Sequence, residues 1–285
     1  MDIQWYPGHM TKTRRMIVDQ VRYVDIVVEV LDARIPISSR NPDVDEMVGE
    51  KPRLIVLNRA DQADPELNRV WSEHYQRQGR GVLLTDCKSG AGVNKFAPTV
   101  RSVLSDKIAQ WQEKGMTGKA VRAMVLGVPN VGKSTFINQA AGRKSAKAQN
   151  RPGVTRGRQW ITVDRGLELL DTPGILWPKF EDERVGLHLA YTGAVKDDIM
   201  DLETLGSKLM GLLCRRYPQA VTGRYRIDID PALADWELLE AAGRRRGFLI
   251  SGGEVDLERI ARVLLEEFRS GKLGRFTLET PEDLK

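Results

Sequence analysis

The sequence predicts an α/β domain, in which helices cover both faces of a mostly parallel sheet, followed by a smaller all-helical domain. Over the first two-thirds of the 285 residues, short apolar runs alternate with amphipathic stretches, which is typical of a parallel sheet packed between helices. After Ile175, strand-like runs become scarce and leucines recur at helical spacing. We therefore predict a boundary near Pro178, with one domain over residues 1–177 and a helical domain over residues 178–285.

The predicted strands are short apolar runs bounded by polar or turn residues. The first is a near-continuous β-branched run, as expected for a strand that is buried on both faces. The last two flank Asp164-Arg165-Gly166, which predicts a hairpin. In chain order the runs are Val24–Leu31, Leu54–Leu57, Val82–Leu84, Val121–Leu126, Trp160–Val163 and Leu167–Leu170.

The predicted helices come from apolar residues that recur every three or four positions. One helix runs from Val93 to Trp111 and should pack on the sheet. Gly271 is placed to cap the last helix of the chain, and the tail Thr277–Lys285 is expected to fray. The helices predicted in the last third cover Leu202–Leu213, Trp236–Leu239 and Leu257–Phe268.

The composition is ordinary for a globular protein, with 41% hydrophobic and 29% charged residues. No stretch approaches the roughly 20 consecutive apolar residues of a membrane span. Met1–Trp5 resembles neither a signal peptide nor a transit segment. Cys87 and Cys214 form neither a disulfide framework nor a metal-ligand spacing. We therefore expect a cytoplasmic protein without a membrane partner.

The chain is basic, with a net charge of +5 and an isoelectric point of about 9.2. This excess fits either a mildly basic surface or a polyanionic partner, since phosphates release counterions when basic side chains bind them. The basic clusters are Arg143, Lys144, Lys147, Arg151, Arg156, Arg158 and Arg244–Arg246.

A phosphate-binding loop is predicted where Gly127-Val-Pro-Asn-Val-Gly-Lys-Ser134 follows the fourth strand and precedes a helical stretch. Small residues there let backbone N–H groups surround a phosphate at a helix N-terminus. Lys133 would reach the β- and γ-phosphates, and the Ser134 hydroxyl would ligate Mg²⁺. We call residues 127–134 the phosphate loop. The predicted phosphate-binding residues are Asn130, Val131, Gly132, Lys133, Ser134, Thr135 and, from a later segment, Gly174.

Two later segments predict the rest of a magnesium and γ-phosphate site. Asp171 ends the last strand, where a carboxylate can hold Mg²⁺ through water, and Gly174 allows a turn with its N–H free for the γ-phosphate. Thr155 follows Pro152-Gly153 in a basic loop. Taken alone it would merely begin a turn. Its position between the other two motifs predicts a Mg²⁺ ligand that is ordered only in the triphosphate state.

A guanine-reading site is predicted from two earlier segments. Asn58, Arg59 and Asp61 follow the second strand. A carboxylate can accept hydrogen bonds from both N1–H and the exocyclic amine of guanine, and adenine offers no such donor pair. Cys87 and Lys88 follow the third strand, where a backbone N–H could meet the guanine O6. These residues predict GTP rather than ATP as the substrate.

The order of these motifs is unusual. The guanine-reading segments precede the phosphate loop, whereas in ordinary small GTPases they follow it. The set resembles the TRAFAC-class GTPases, whose motifs are numbered G1 to G5. Here the two guanine-reading segments (G4 and G5) come first, followed by the phosphate loop (G1), the Thr155 segment (G2) and the Asp171–Gly174 segment (G3). This order, G4-G5-G1-G2-G3, resembles that of the circularly permuted GTPases. The segments Trp5–Lys12 and Asp32–Pro42 are similar to those of the bacterial ribosome biogenesis GTPase A (YlqF/RbgA) family, and the resemblance extends over essentially the whole chain.

The resemblance implies a circularly permuted P-loop GTPase domain followed by a helical domain that contacts RNA. It implies a factor that hydrolyses GTP, acts late in assembly of the large (50S) ribosomal subunit and binds its rRNA. Two motifs depart from the family pattern: Arg59 replaces the usual lysine, and Asp86-Cys87-Lys88 replaces Ser-Ala-Lys. No coiled-coil heptads call for a dimer, so we expect a monomer, and we expect no DNA partner.

The group that orients the attacking water is not the usual glutamine. Ile175 stands where many GTPases carry a glutamine, and isoleucine cannot hydrogen-bond water. The resemblance nominates His9 as the catalytic residue, although a histidine beside Pro7-Gly8 also fits a turn or an RNA contact. Asn130 stands where related GTPases hold K⁺, and it equally fits an asparagine favoured by the loop conformation. We expect slow hydrolysis by the protein alone and stimulation by the ribosomal subunit.

The permutation suggests a switch, because the segment after Gly174 leads directly into the helical domain. We hypothesise that GTP orders the loops around Thr155 and Gly174 and holds the helical domain in an RNA-binding pose, which hydrolysis releases. Two alternatives remain open. One is an RNA-binding scaffold whose nucleotide site has little catalytic role, and the other is a GTPase with a different RNA partner.

Overall fold

The computed structural model describes residues 7–142, 160–174, 182–195 and 201–284, without the side chains of residues 7–11. The chain divides into two compact units. The first comprises Met1–Glu181 together with Thr277–Lys285, and the second comprises Asp182–Phe276. This division resembles the predicted one at the first boundary but differs at the C-terminus, where the last residues belong to the first unit.

The first unit is built on a six-stranded sheet of order β3-β2-β1-β4-β6-β5, in which only β5 is antiparallel to its neighbour. All seven residues of β1 are buried, so both faces of the sheet are covered. The predicted α/β class, with its mostly parallel sheet, is therefore confirmed. The strands are β1 (Ile26–Asp32), β2 (Arg53–Asn58), β3 (Gly81–Thr85), β4 (Val121–Leu126), β5 (Trp160–Asp164) and β6 (Leu167–Asp171).

Helices lie on both faces of this sheet. On one face, α1 (Pro7–Val21), α2 (Val44–Val48) and α3 (Pro65–Arg77) pack against strand residues that include Val27 and Leu57. Leu54 has the opposite parity to Leu57 and so faces the other side. There, α4 (Phe96–Val103) approaches Leu54 and Gly81 so closely that a Cβ on Gly81 would collide with Val103. On this second face α6 (Lys133–Ala141) contacts α4 through the rings of Phe136 and Phe96.

The helix predicted from Val93 to Trp111 is interrupted. It consists of a 3₁₀ turn at Val93–Lys95, then α4, then α5 (Ser105–Glu113). The break is at Leu104, whose φ of −103° and ψ of 15° are not helical. Leu104 and Trp111 are both buried. The apolar periodicity therefore continues across the bend, which is why it suggested a single helix.

The second unit is helical in its described residues. The predicted periodic segments correspond to α8, α10 and α11, whose buried faces include Leu209, Leu239 and Leu264. Gly271 caps α11 in the left-handed conformation, with φ of 76°, as predicted. The helices are α7 (Glu183–Tyr191), α8 (Leu202–Arg216), α9 (Pro218–Tyr225), α10 (Asp235–Arg245) and α11 (Leu257–Ser270).

The expectation that the tail Thr277–Lys285 frays is wrong for its described part. Thr277, Leu278 and Glu279 are buried, and a 3₁₀ turn follows at Pro281–Asp283. The Leu278 N–H donates to the Arg34 carbonyl at 2.7 Å, which fastens the tail to the first unit. Buried backbone groups with partners do not fray. Among the described helices, none combines the length and hydropathy that a membrane crossing requires.

Candidate nucleotide site

The candidate site lies where the parallel strands end. The pairing register places Asp32 opposite Asn58 and Asn58 opposite Thr85, while Asp171 pairs with Val125 near the end of β4. Ligands of open α/β sheets bind at this edge. The sheet therefore brings together the segments after β1, β2 and β3 and the later segments after β4 and β6.

The phosphate loop joins β4 to α6 as predicted. Gly132 directly precedes α6 with φ of 102°, and a Cβ there would collide with the Asn58 amide. Asn130 also has a positive φ, 57°, a conformation that asparagine adopts more readily than most residues. Ser134 and Thr135 are exposed in the first turn of α6. A helix N-terminus preceded by such a turn suits an anion.

Lys133 is buried inside the phosphate loop. Its ammonium group donates to the carbonyl oxygens of Gly127 and Val128, both at 3.0 Å. Burial lowers the pKa of Lys133 to about 8, and the nearby Asp171 carboxylate opposes the change. The lysine is therefore held where a wrapped phosphate would meet it.

The segment after β6 contacts the phosphate loop. The Thr172 hydroxyl donates to the Val125 carbonyl at 2.6 Å, which leaves Asp171 exposed beside it. Gly174 approaches the loop so closely that a Cβ there would lie 2.9 Å from the Pro129 backbone and 3.1 Å from the Lys133 ammonium nitrogen. Only glycine fits this contact without displacing one of the two segments.

The residues at this edge fit a magnesium ion. Ser134, in the first turn of α6, and Asp171, at the end of β6, are exposed oxygen-bearing side chains. Within the described ranges no group of three or more His, Cys, Asp or Glu side chains could hold a metal. Mg²⁺ at phosphate sites takes one or two protein oxygens and completes its shell with water and phosphate, so this sparse set suits it. Thr155 lies outside the described residues.

Asn58 joins the guanine-reading segment to the phosphate loop. Its side chain is buried, and the amide nitrogen donates to the Val131 carbonyl at 2.8 Å. Its amide oxygen accepts from the Cys87 N–H at 3.0 Å. One side chain therefore ties together the segments that follow β2, β3 and β4.

Arg59 makes a second link to the phosphate loop. Its guanidinium donates to the Asn130 carbonyl at 2.8 Å and lies 3.7 Å from the Asp32 carboxylate. Asp32 in turn forms a buried, bidentate pair with Arg34, at 2.9 and 2.8 Å. Burial alone would raise the pKa of Asp32, but Arg34 prevails and the pKa is lowered. A lysine could not make both contacts in this way, because its single ammonium nitrogen lacks the two terminal nitrogens of the guanidinium group.

The Asp32–Arg34 pair had no predicted role beyond its place in a family resemblance. An acidic strand end followed two positions later by an arginine is the sequence signal that could have indicated it. The pair braces the segment after β1, which runs beside the guanine-reading segment: the Ala33 N–H donates to the Asn58 carbonyl at 2.9 Å.

The remaining predicted guanine contacts differ in exposure. Asp61 and Lys88 are exposed, whereas Cys87 is buried. Burial raises the pKa of the Cys87 thiol to about 11. The Cys87 N–H donates to Asn58 and the Lys88 N–H to the Asp86 carboxylate, at 3.0 and 2.9 Å. A contact to the guanine O6 therefore requires that guanine share one of these N–H groups.

The side chain of His9, the predicted catalytic residue, lies outside the described part of the chain. Ile175, which replaces the usual glutamine, also lies outside it. The backbone at His9 belongs to α1, so this residue is helical rather than part of a turn.

The comparisons with known proteins place this chain in a GTPase family. A family model described as "50S ribosome-binding GTPase" matches residues 122–202. The chain is 45% identical to the ribosome biogenesis GTPase A of Priestia megaterium, over 99% of this chain and 98% of that protein. It is 44% identical to the protein of the same name from Bacillus cereus, over 99% of this chain and 95% of that one. This chain belongs to the ribosome biogenesis GTPase A family.

A solved relative supports the same fold for this family member. The crystal structure of YlqF from T. maritima with GNP bound superposes with a TM-score of 0.68, at 30% identity, covering 95% of this chain and 99% of that one. Family membership confirms the predicted permuted GTPase fold and GTP hydrolysis in ribosome biogenesis, with GTP as the substrate and, as is typical of GTPases, Mg²⁺ as the ion.

Proposed function

We propose that this GTPase is an assembly factor for the large (50S) ribosomal subunit, which binds the subunit through its rRNA and reports its nucleotide state to it. The match to the family described as "50S ribosome-binding GTPase" supports the subunit as partner, and the contact of Gly174 with the phosphate loop supports the nucleotide response. The segment with Gly174, which we propose contacts the γ-phosphate, is followed in the chain by residues 175–181 and then by the helical unit. Loss of the γ-phosphate would therefore act on the segment of chain that leads to the helical unit.

In this proposal each predicted site residue has one role. Asp61 reads the guanine edge, and Asn58 and Arg59 hold the guanine-reading segment against the phosphate loop. Lys133 neutralises the β- and γ-phosphates, together with the backbone N–H groups that begin α6. Mg²⁺, held by Ser134, Thr155 and Asp171, supplies positive charge to the phosphates when it is bound.

We propose His9 as the residue that positions the attacking water, because Ile175 has no hydrogen-bonding group for it. The Asn130 side chain is exposed in the phosphate loop and its backbone is fixed by Arg59. It is the residue we propose to hold K⁺, whose charge would oppose the negative charge that develops on the phosphates.

The helical unit is the proposed rRNA-contacting part. Exposed arginines occur at the end of α8, Arg215 and Arg216, and at the end of α10, Arg244 and Arg245. Two of them pair with acidic neighbours, Arg215 with Asp235 and Arg244 with Glu240. Exposed ion pairs of this kind are weak, so a phosphate backbone can compete for these guanidinium groups.

The test is GTP hydrolysis with and without purified large subunits, in K⁺ and in Na⁺ buffer. We expect the subunit to accelerate turnover by one or more orders of magnitude, as activating partners of GTPases do. His9→Ala should abolish this acceleration and keep GTP binding, and His74→Ala, in α3, serves as the matched control. Acceleration that survives His9→Ala contradicts the role of His9.

The same preparation tests the switch. Binding to large subunits is measured with a non-hydrolysable GTP analogue and with GDP. We expect clearly tighter binding in the GTP-like state, because a ligand shifts an equilibrium only through differential affinity. Equal affinities in the two states, or no binding in either, would contradict the proposed function.

A further inference from the structure

The C-terminal tail, Thr277–Leu284, bonds to residues near the predicted guanine contacts, which we call the guanine side of the site (residues 58–64 and 85–88). It follows the helical unit in the chain, yet it bonds to two segments of the first unit. Leu278 donates to the Arg34 carbonyl, just after β1, and its neighbour Glu279 accepts from the Trp71 indole N–H of α3 at 3.0 Å. The guanine-reading segment leaves β2 between these two attachments.

Thr277 bonds to Asp64, the last residue of the segment that joins β2 to α3. Its side chain is buried, and the hydroxyl accepts from the Asp64 N–H at 3.1 Å while it donates to the Ala33 carbonyl at 3.3 Å. Asp64 is the N-cap of α3, and its carboxylate accepts from the N–H groups of Glu66 and Leu67. One hydroxyl therefore connects the end of β1 to the residue that starts α3.

The segment between β2 and α3, residues 59–64, is held at both ends. Near its start, the Ala60 N–H donates to the Thr85 carbonyl at 3.0 Å, and the Ala60 carbonyl accepts from the Asn68 amide at 2.9 Å. At its end, Asp64 is held by Thr277. Asp61 lies between these two attachments and is exposed.

Glu279 anchors the tail itself. Its buried carboxylate accepts from the Ile37 N–H at 2.6 Å, from the Ser38 N–H at 3.1 Å and from the Ser38 hydroxyl. Hydrogen bonds to a charged acceptor are roughly twice as strong as those between neutral groups. The tail is therefore secured independently of Thr277.

We propose that the C-terminal tail is a positioning element for guanine recognition, in which Thr277 holds residues 59–64 so that Asp61 meets the base. This inference rests on the proposed role of Asp61. Thr277 acts through the backbone of Asp64 and does not touch the nucleotide.

The test compares the affinities for GDP and for inosine diphosphate, which lacks the exocyclic amine that a carboxylate can bind. Thr277→Val removes the hydroxyl at nearly constant volume and leaves the Asp64 N–H without its acceptor. We expect GDP affinity to fall about tenfold and the preference for GDP over inosine diphosphate to shrink. Thr277→Ser keeps the hydroxyl and should restore both within about twofold.

The control is Thr280→Ala in the same tail. Thr280 caps the turn Pro281–Asp283 and has its bonds within that turn, so GDP affinity should stay within about twofold. Glu279→Gln is a second variant for the case in which Thr277→Val does not fold. It weakens the anchor at Ile37 and Ser38, and we expect GDP affinity to fall about threefold.

The outcomes separate this inference from the proposed function. A wild-type protein without preference for GDP would refute the role of Asp61. A wild-type preference that Thr277→Val leaves unchanged, with only a lower melting temperature, would overturn the positioning role and make the tail purely structural. Unchanged GDP affinity in Glu279→Gln would overturn it in the same way.

Discussion

The two sides of the nucleotide site differ in how far they are built before a ligand arrives. On the guanine side Asp61 is exposed, but Asn58 and Cys87 are buried and hydrogen-bonded, and Asp32, which pairs with Arg34, lies opposite Asn58 on the neighbouring strand. On the phosphate side Lys133 is buried and bonded to carbonyl oxygens of its own loop, whereas Ser134, Asp171 and Gly174 are exposed.

This difference fits the proposed switch, in which the chain responds to the γ-phosphate and not to the parts that GTP and GDP share. The guanine side is common to GTP and GDP, and it is fixed by its own hydrogen bonds and by the C-terminal tail. In the proposed switch the phosphate side distinguishes GTP from GDP, and its last segment is the one followed in the chain by the helical unit. Affinity for the nucleotide requires preformed contacts to the guanine base, whereas a response to the γ-phosphate requires a segment that can change its conformation. The chain order assigns these two roles to separate segments.

The largest effect on stability and on GDP affinity is expected at Asn58, which links the guanine-reading segment to the phosphate loop. Asn58→Ala leaves the Val131 carbonyl and the Cys87 N–H without their partner. A buried polar group without a partner costs about 1–3 kcal/mol, so unfolding should be easier by at least that amount and GDP affinity should fall by about a hundredfold. Chemical denaturation and nucleotide titration measure the two effects.

The exposed Asn94→Ala is the matched control for this variant, and its effect on stability should stay within about 0.5 kcal/mol. If Asn58→Ala binds GDP like the wild type, the two sides are independent and the link assigned to Asn58 does not exist.

The stiffness of the guanine side is tested by thiol labelling at pH 8, in a Cys214→Ser background. Burial raises the pKa of Cys87 to about 11 from an ordinary 9.0, so the reactive thiolate is about a hundredfold rarer than in an exposed cysteine. The reference protein lacks Cys87 and carries Lys88→Cys, at an exposed position. We expect Cys87 to react at least about a hundredfold more slowly than this introduced cysteine. Comparable rates would show that the guanine side opens without ligand.

A smaller effect is expected from Gly174→Ala on the phosphate side. The added methyl would meet the Pro129 backbone at 2.9 Å, and overpacking of this kind costs about 1–3 kcal/mol. Affinity for a GTP analogue should fall about tenfold or more, while GDP affinity stays within about twofold because GDP has no γ-phosphate. Gly223→Ala, which has open space around it, should change neither. An equal loss for both nucleotides would contradict the division between the sides.

Much of the fold could be predicted from the sequence, because the strands carry short, mostly apolar runs, and those of β2, β4 and β6 end at or just before motif residues. The motifs also indicated the phosphate loop and the guanine-reading segment, since glycine, lysine and aspartate seldom combine at these fixed spacings by chance. The tail could not be predicted. Thr277, Leu278 and Glu279 form no periodic pattern, and their burial depends on partners such as Arg34 and Trp71, more than 200 positions away.

The break at Leu104 was also missed, because a bent helix keeps the same apolar spacing as a straight one. The pairing of the Cys87 N–H with Asn58 depends on the register between β2 and β3, which spacing along the chain does not specify.

Hydrogen–deuterium exchange of the full chain, without nucleotide and with GDP, compares the two sides of the site in one experiment. We expect GDP to slow exchange most at residues 127–135, and much less at Ala60, Asp64 and Cys87, whose N–H groups are already bonded. Replacing GDP with a GTP analogue should add protection at residues 171–174 alone among the described segments. If GDP protects the guanine side as much as the phosphate side or more, the guanine side is not formed before the ligand binds.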